Sequence, residues 1–123
     1  MSELSDYLKR QEEWSTRTFG HAVRTKGICQ HIRKELLEIE AAPHDLIEWV
    51  DVIILAMDGY WRAGGDPLHL MDLLQMKQDR NFARRWPYPP PPEDQASEHI
   101  AEDPGTANAS PAQPELGPAG GKQ

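Results

Sequence analysis

Four carboxylates stand at spacings suited to chemistry. Glu35 and Glu38 are three residues apart, and so are Glu48 and Asp51. On a helix such residues project from one side, so each pair makes an acidic claw. Packed helices bring their axes to roughly 8 to 10 Å, and two claws facing across a hairpin then converge on one small volume. Four like charges repel there, and burial adds a penalty on the ionised form. Divalent cations relieve both. Hard oxygen donors with no histidine or thiol among them select Mg²⁺ or Mn²⁺ over zinc or copper, and Mg²⁺ is commonly shared with substrate phosphates. A di-iron bundle uses Glu-x-x-His motifs, which neither pair contains. One acidic pair alone would read as a solvated face. Two pairs of matching spacing on adjacent apolar helices read as a metal cage.

Groups for a phosphorylated substrate lie elsewhere in the chain. Lys77, Asn81 and Arg84 fall at i, i+4 and i+7, on one face of a late helix. A point-charge ammonium and a forked guanidinium suit the outer phosphates of a triphosphate; an ordinary basic face at a helix C-terminus has the same spacing. Trp14 and Phe19 offer a surface for a purine to stack on, or serve as core aromatics. His31, one turn before Glu35, is placed to hydrogen-bond a ligand carboxylate or a phosphate, or to act as a structural histidine, and Arg24 two turns earlier has the same two readings.

The elements that must position these residues are helices. Ser5 caps a first helix through roughly Trp14, and Ser15 to Gly20 reads as a break. A second helix runs from about His21 to Ala41, with Gly27 inside it at a cost of about 1 kcal/mol relative to alanine. Ile28, Ile32, Leu36 and Ile39 recur at steps of three and four, on a face expected to be buried. Pro43 suits the first turn of a third helix, which extends to about Ala63 before Gly64 and Gly65 stop it. So short a link makes helices two and three antiparallel. The third is apolar nearly all round and is expected at the centre of the bundle. Asp66-Pro67 opens a last helix that reaches about Arg85. The fold expected is an all-α bundle with the metal site between its two central helices.

Of the 123 residues, 38% are hydrophobic, and the chain divides near Trp86. Residues 87–123 hold nine of the eleven prolines and few aliphatics, so a folded domain over 1–86 and a disordered, Pro-rich acidic tail over 87–123 are expected. Residues 1–86 carry 12 Lys+Arg against 14 Asp+Glu, and the tail carries 1 against 6. The acidity is therefore mostly the tail's, and it disfavours nucleic acid and anionic membranes as partners. A core this small points to a homo-oligomer, a dimer or tetramer. Cys29, the single cysteine, excludes an intrachain disulfide and reads as a small buried apolar residue in a reducing compartment. The longest apolar run, Val52 to Met57, is too short to span a bilayer, and no charged leader opens the chain, so a cytoplasmic protein is expected.

Two stretches, His31-Ile32-Arg33-Lys34-Glu35-Leu36-Leu37-Glu38-Ile39-Glu40 and Glu48-Trp49-Val50-Asp51-Val52-Ile53, resemble the MazG-like all-α nucleoside triphosphate pyrophosphohydrolases, with their E-x-x-E then E-x-x-D signature. Within that group, Trp14-Ser15, Thr18-Phe19-Gly20, Asp58-Gly59 and Asn81 to Trp86-Pro87 look like the MazZ, or dATP/dGTP diphosphohydrolase, branch. The resemblance implies hydrolysis of purine deoxynucleoside triphosphates to the monophosphate and pyrophosphate. It implies Glu35, Glu38, Glu48 and Asp51 as catalytic metal ligands for two or more Mg²⁺ or Mn²⁺ ions, and Lys77, Asn81 and Arg84 as phosphate contacts. In phages that replace adenine by 2-aminoadenine, such enzymes supply dGMP. Two departures stand out: nine residues separate Glu38 from Glu48, fewer than usual, and Lys34 stands where many members have glutamate. They open a place for a further acid such as Asp58. The competing readings are a dUTP-directed relative of the same superfamily and a non-catalytic helical interaction module.

Overall fold

Ser2 starts the first helix. Its hydroxyl accepts the Ser5 N–H at 3.1 Å, and α1 runs Glu3–Phe19 in the computed structural model, which describes residues 2–101. The helix thus begins before the expected cap at Ser5 and passes through the expected break at Ser15. The reason is tertiary. The Ser15 hydroxyl is buried and donates to Asp58 Oδ1 at 2.8 Å, so it does not compete for nearby backbone. Gly20, at φ +86°, ends the helix in a conformation that suits glycine.

Three more α-helices follow: α2 Thr25–Ala41, α3 Leu46–Arg62 and α4 Leu70–Ala83. No strand occurs among the described residues, so the fold is all-helical, as expected. Gly27 lies inside α2 without interrupting it. His21 to Arg24, expected to be helical, instead form a connection held from outside, because Arg62 donates to the carbonyls of Gly20 at 3.0 Å and Ala22 at 2.7 Å. α3 is capped by Asp45, whose carboxylate accepts the Ile47 N–H at 3.1 Å. Pro43 therefore precedes the helix and does not sit in its first turn. Asp66 caps as expected by accepting the Leu68 N–H at 2.8 Å, but it opens a 3₁₀ turn, Pro67–His69, ahead of α4. Between α3 and this turn, the Tyr60 hydroxyl donates to the Asp66 carbonyl, and a Cβ on Gly65 would run into the Tyr60 ring.

Residues up to Met71 make one compact unit and those from Asp72 another. In the first, α2 and α3 form an antiparallel hairpin: Glu38 meets Glu48 near the link, while Ile28 at the other end of α2 approaches the Gly59 position to 3.7 Å. α1 runs parallel to α3, since Gln11 reaches Ile54 and Ser15 reaches Asp58 in the same order along both helices. The 3₁₀ turn also packs on α1.

The buried apolar side chains among the described residues are Leu8, Ile28, Ile39 and Trp61, together with Pro67 of the 3₁₀ turn. Several expectations change accordingly. Leu36 is exposed and Ile32 half-buried, so the α2 stripe is only partly covered. α3 is central in that it packs on both α2 and α1, yet Leu46, Ile47, Trp49, Val50 and Ile53 all face outward from the single chain. Cys29 is exposed, not buried. Periodicity identifies an apolar face but not whether the same chain covers it.

In the second unit, α4 ends at Ala83, short of Arg85. The Trp86 indole N–H donates to the Asn81 carbonyl at 2.8 Å, and the Ile100 N–H donates to the Arg85 carbonyl at 2.7 Å. Residues 87–101 contain no helix or strand. The remainder of the expected tail, 102–123, lies outside the described residues. No described helix is long and apolar enough to cross a membrane.

Candidate active site

The hairpin register places one carboxylate oxygen each of Glu35, Glu38 and Glu48 within 4.8 Å of one another. Glu35 is buried, Glu48 half-buried and Glu38 exposed, so the expectation that all four acids point inward is corrected for Glu38, which sits at the rim. Asp51, half-buried and one turn after Glu48, is close enough for its charge to raise the pKa of both Glu35 and Glu48.

The acids share protons unevenly. A carboxyl hydrogen bond with Glu38, then burial, then the charges of Glu38 and Asp51 push Glu35 above the usual 4.5, against an opposing effect of His31. Burial first, then its bond to Glu38, raises Glu48. Glu38, which accepts from both Glu35 and Glu48, is lowered. His31 Nε2 lies 3.2 Å from Glu35 Oε1, while Glu35 Oε2 is buried with no donor. When these acids are all ionised, that oxygen is left unsatisfied. A proton or a cation must serve it. An all-oxygen donor set with an orphaned buried oxygen fits a hard divalent ion.

A cleft of about 330 Å³ opens from these acids among α1, α2 and α3. Glu35 and Asp51 stand on its wall with His31, Arg24, Trp14 and Phe19. Trp14 and Phe19 meet edge to face at 5.6 Å, and the Arg24 guanidinium lies 5.4 Å from the centre of the Phe19 ring. Both aromatics are about half exposed. The cleft thus joins an apolar, aromatic portion to an anionic end, with Arg24 just ahead of α2 and His31 within it on the same wall.

Asp58 also lines the cleft, but its two oxygens are occupied. Ser15 donates to Oδ1 at 2.8 Å and Arg62 Nε to Oδ2 at 3.0 Å. Arg62 further donates to Ser15 Oγ at 2.9 Å and stacks 4.4 Å from the Trp61 ring centre. This buried network ties α1, the Gly20 to Arg24 connection and α3 together. Asp58 is thus a strut of this network, and it stands outside the three-glutamate cluster.

Lys77, Asn81 and Arg84 lie on or just after α4, in the second unit. Lys77 is exposed, and Arg84 donates to the Asn81 side-chain oxygen at 3.3 Å. The parts that sequence reasoning missed are Gln11, Ser15 and Arg62. Gln11 and Ser15 sit in a hydrophilic helix, and Arg62 reads as a cation complementing a helix C-terminus, so no local pattern distinguishes them from surface residues.

The sequence model of one family, described as dATP/dGTP pyrophosphohydrolase, matches residues 7–108. No curated protein and no solved structure matches the chain.

Proposed function

The chain belongs to the dATP/dGTP pyrophosphohydrolase family, and from that premise we propose that it hydrolyses purine deoxynucleoside triphosphates at the α-phosphate with divalent metal held by Glu35, Glu38, Glu48 and Asp51. The observation that carries this is the orphaned Glu35 oxygen in a three-glutamate cluster at the end of a nucleoside-sized cleft. Bound Mg²⁺ or Mn²⁺ supplies neutralisation of acid and phosphate charge and a water of lowered pKa. Glu35, Glu38, Glu48 and Asp51 would hold that ion, and the overall reaction adds water to the α-phosphorus as its bond to the bridging oxygen breaks, giving the monophosphate, pyrophosphate and a proton released to solvent. Trp14 and Phe19 form the stacking surface for the base. His31 orients Glu35 through its 3.2 Å contact, and Lys77, Asn81 and Arg84 are the proposed phosphate contacts. The role assigned is nucleotide metabolism in the cytoplasm, with dGMP supply in a phage 2-aminoadenine pathway as its specific form.

The reading is tested by pyrophosphate release from a panel of dGTP, dATP, dCTP, dTTP and dUTP with Mn²⁺ or Mg²⁺. The expected result is turnover of dGTP and dATP that ends on chelation. Preference for dUTP would transfer the chain to the pyrimidine-directed reading.

Proton occupancy gives a second test. The raised pKa values of Glu35 and Glu48 mean that the folded state holds their protons more tightly than the unfolded state does. Their contribution to stability is full below the ordinary 4.5 and is lost as pH rises through the raised values. Glu38 has the opposite sign, but its lowering rests on bonds from those two protonated partners. Metal-free protein should lose this contribution as pH rises, whereas ionised ligands bind metal best. The Tm gained on adding Mn²⁺ in place of chelator is therefore expected to grow between about pH 5 and about pH 7.5. A gain independent of pH would contradict it.

The same proposal includes a homo-oligomer, supported by the small buried apolar set among the described residues beside a long uncovered face. Leu46 is 74% and Ile47 65% exposed, next to Trp49, Val50 and Ile53 on α3. Contiguous exposed apolar residues of this kind mark interaction surfaces. A second copy of this chain is the occupant that supplies the missing core. Light scattering is expected to report a dimer or tetramer for the native chain and a shift toward monomer for Ile47→Asp. A native monomer would refute this part.

A further inference from the structure

Gln11 stands in the wall of the cleft on α1 and is only 8% exposed. Its amide nitrogen donates to the Ile54 carbonyl at 2.9 Å, while its amide oxygen is buried with no donor. The orientation is locked: turning the amide over would bring its oxygen against the Ile54 carbonyl, two acceptors face to face. Nearby polar groups have no capacity to serve it. The Ser15 hydroxyl gives its one hydrogen to Asp58 and accepts from Arg62, and both Asp58 oxygens are engaged. A buried acceptor left unmet is costly in a folded chain, and this one belongs to a residue of the cleft wall, where a ligand that draws the side chain outward supplies the missing donor.

We propose that Gln11 reads the edge of the base, its side-chain oxygen accepting an N–H of the purine. This deepens the pyrophosphohydrolase reading and rests on it. Adenine presents a 6-amino group and guanine an N1–H and a 2-amino group, so each of the two bases has a hydrogen to give. A purine with neither leaves the acceptor without a donor. Such a site rejects the analogue that lacks the donor more strongly than an apolar pocket rejects a change of size. Trp14 and Ser15, three and four residues further along α1, lie on the same side of the helix, which sets the stacking surface beside the acceptor.

The experiment compares kcat/KM for dATP, dGTP and purine 2′-deoxyriboside triphosphate, which carries no amino group and no N1–H, in native protein and in Gln11→Met. Native protein is expected to favour dATP or dGTP over the analogue by about tenfold or more, as for loss of one buried hydrogen bond. Gln11→Met, close in length but lacking the whole amide, also loses the bond to the Ile54 carbonyl and lowers all three values, with a larger loss on the better natural substrate than on the analogue, so that the preference between them narrows. Gln11→Asn, which keeps the amide but withdraws it by one methylene, should narrow the preference in the same direction. Equal losses on all three nucleotides would make Gln11 a purely structural residue. Native turnover that does not distinguish the analogue overturns the proposal whatever the variants do. Hydrolysis of none of the three overturns the pyrophosphohydrolase reading along with it.

Discussion

Glu35→Gln is expected to lower pyrophosphate release from dGTP or dATP by more than about 100-fold, beyond what loss of an outer-shell partner of a metal site costs. The side chain keeps its size and its place in α2, so circular dichroism should report unchanged helicity. Glutamine offers one neutral oxygen where the native residue brings two, one within reach of His31 and one buried without a donor. Without metal, the same substitution removes one of three crowded acids, and the variant's Tm at neutral pH is expected to equal or exceed that of native protein in chelator. With Mn²⁺ the order reverses, because the variant binds the ion poorly. Activity and metal-free stability thus move in opposite directions. A residue of the ordinary core would lower both, and full activity in the variant would remove Glu35 from the site. Asp51→Asn is expected to behave in the same way on activity.

Arg62→Leu should have the largest effect on stability. The guanidinium is buried and donates to Asp58, Ser15 and the carbonyls of Gly20 and Ala22. Its loss leaves the buried Asp58 charge with only the Ser15 hydroxyl and removes the side-chain donor from two backbone carbonyls. Removing one member of a buried ion pair costs about 3–5 kcal/mol. For a small domain, 1 kcal/mol corresponds to roughly 4–8 °C, so the Tm should fall by more than about 10 °C. Adding Asp58→Leu removes the stranded charge and is expected to recover part of the loss. Denaturant melts of the two single variants and the double variant measure the coupling. Additive losses would mean that Asp58 and Arg62 do not act as a pair.

The two claws were legible in the sequence because helical spacing is local and a short link leaves a hairpin few alternatives. The meeting of Glu38 with Glu48 follows from those two facts alone. The extent of α1 was not legible. Ser15, Thr16 and Thr18 favour a break by their own chemistry, and the hydroxyl that decides the matter is taken by Asp58, 43 residues away. The uncovered faces of α2 and α3 were hidden for another reason: an apolar stripe looks the same whether the chain or a second molecule covers it. Gln11 carried no signal, since a glutamine in a polar helix is ordinarily on the surface. It becomes notable only once Ile54 engages one end of its amide and nothing engages the other.

Arg62 holds the connection between Phe19 and Arg24 with one nitrogen while neutralising Asp58 with another. Stability and the shape of the cleft therefore cannot vary independently. A lineage that loses this arginine forfeits the cleft wall while every glutamate of its signature persists. Counting E-x-x-E and E-x-x-D motifs would then overstate how many such sequences are working enzymes, and the residue to read beside them is the arginine at the far end of the third helix.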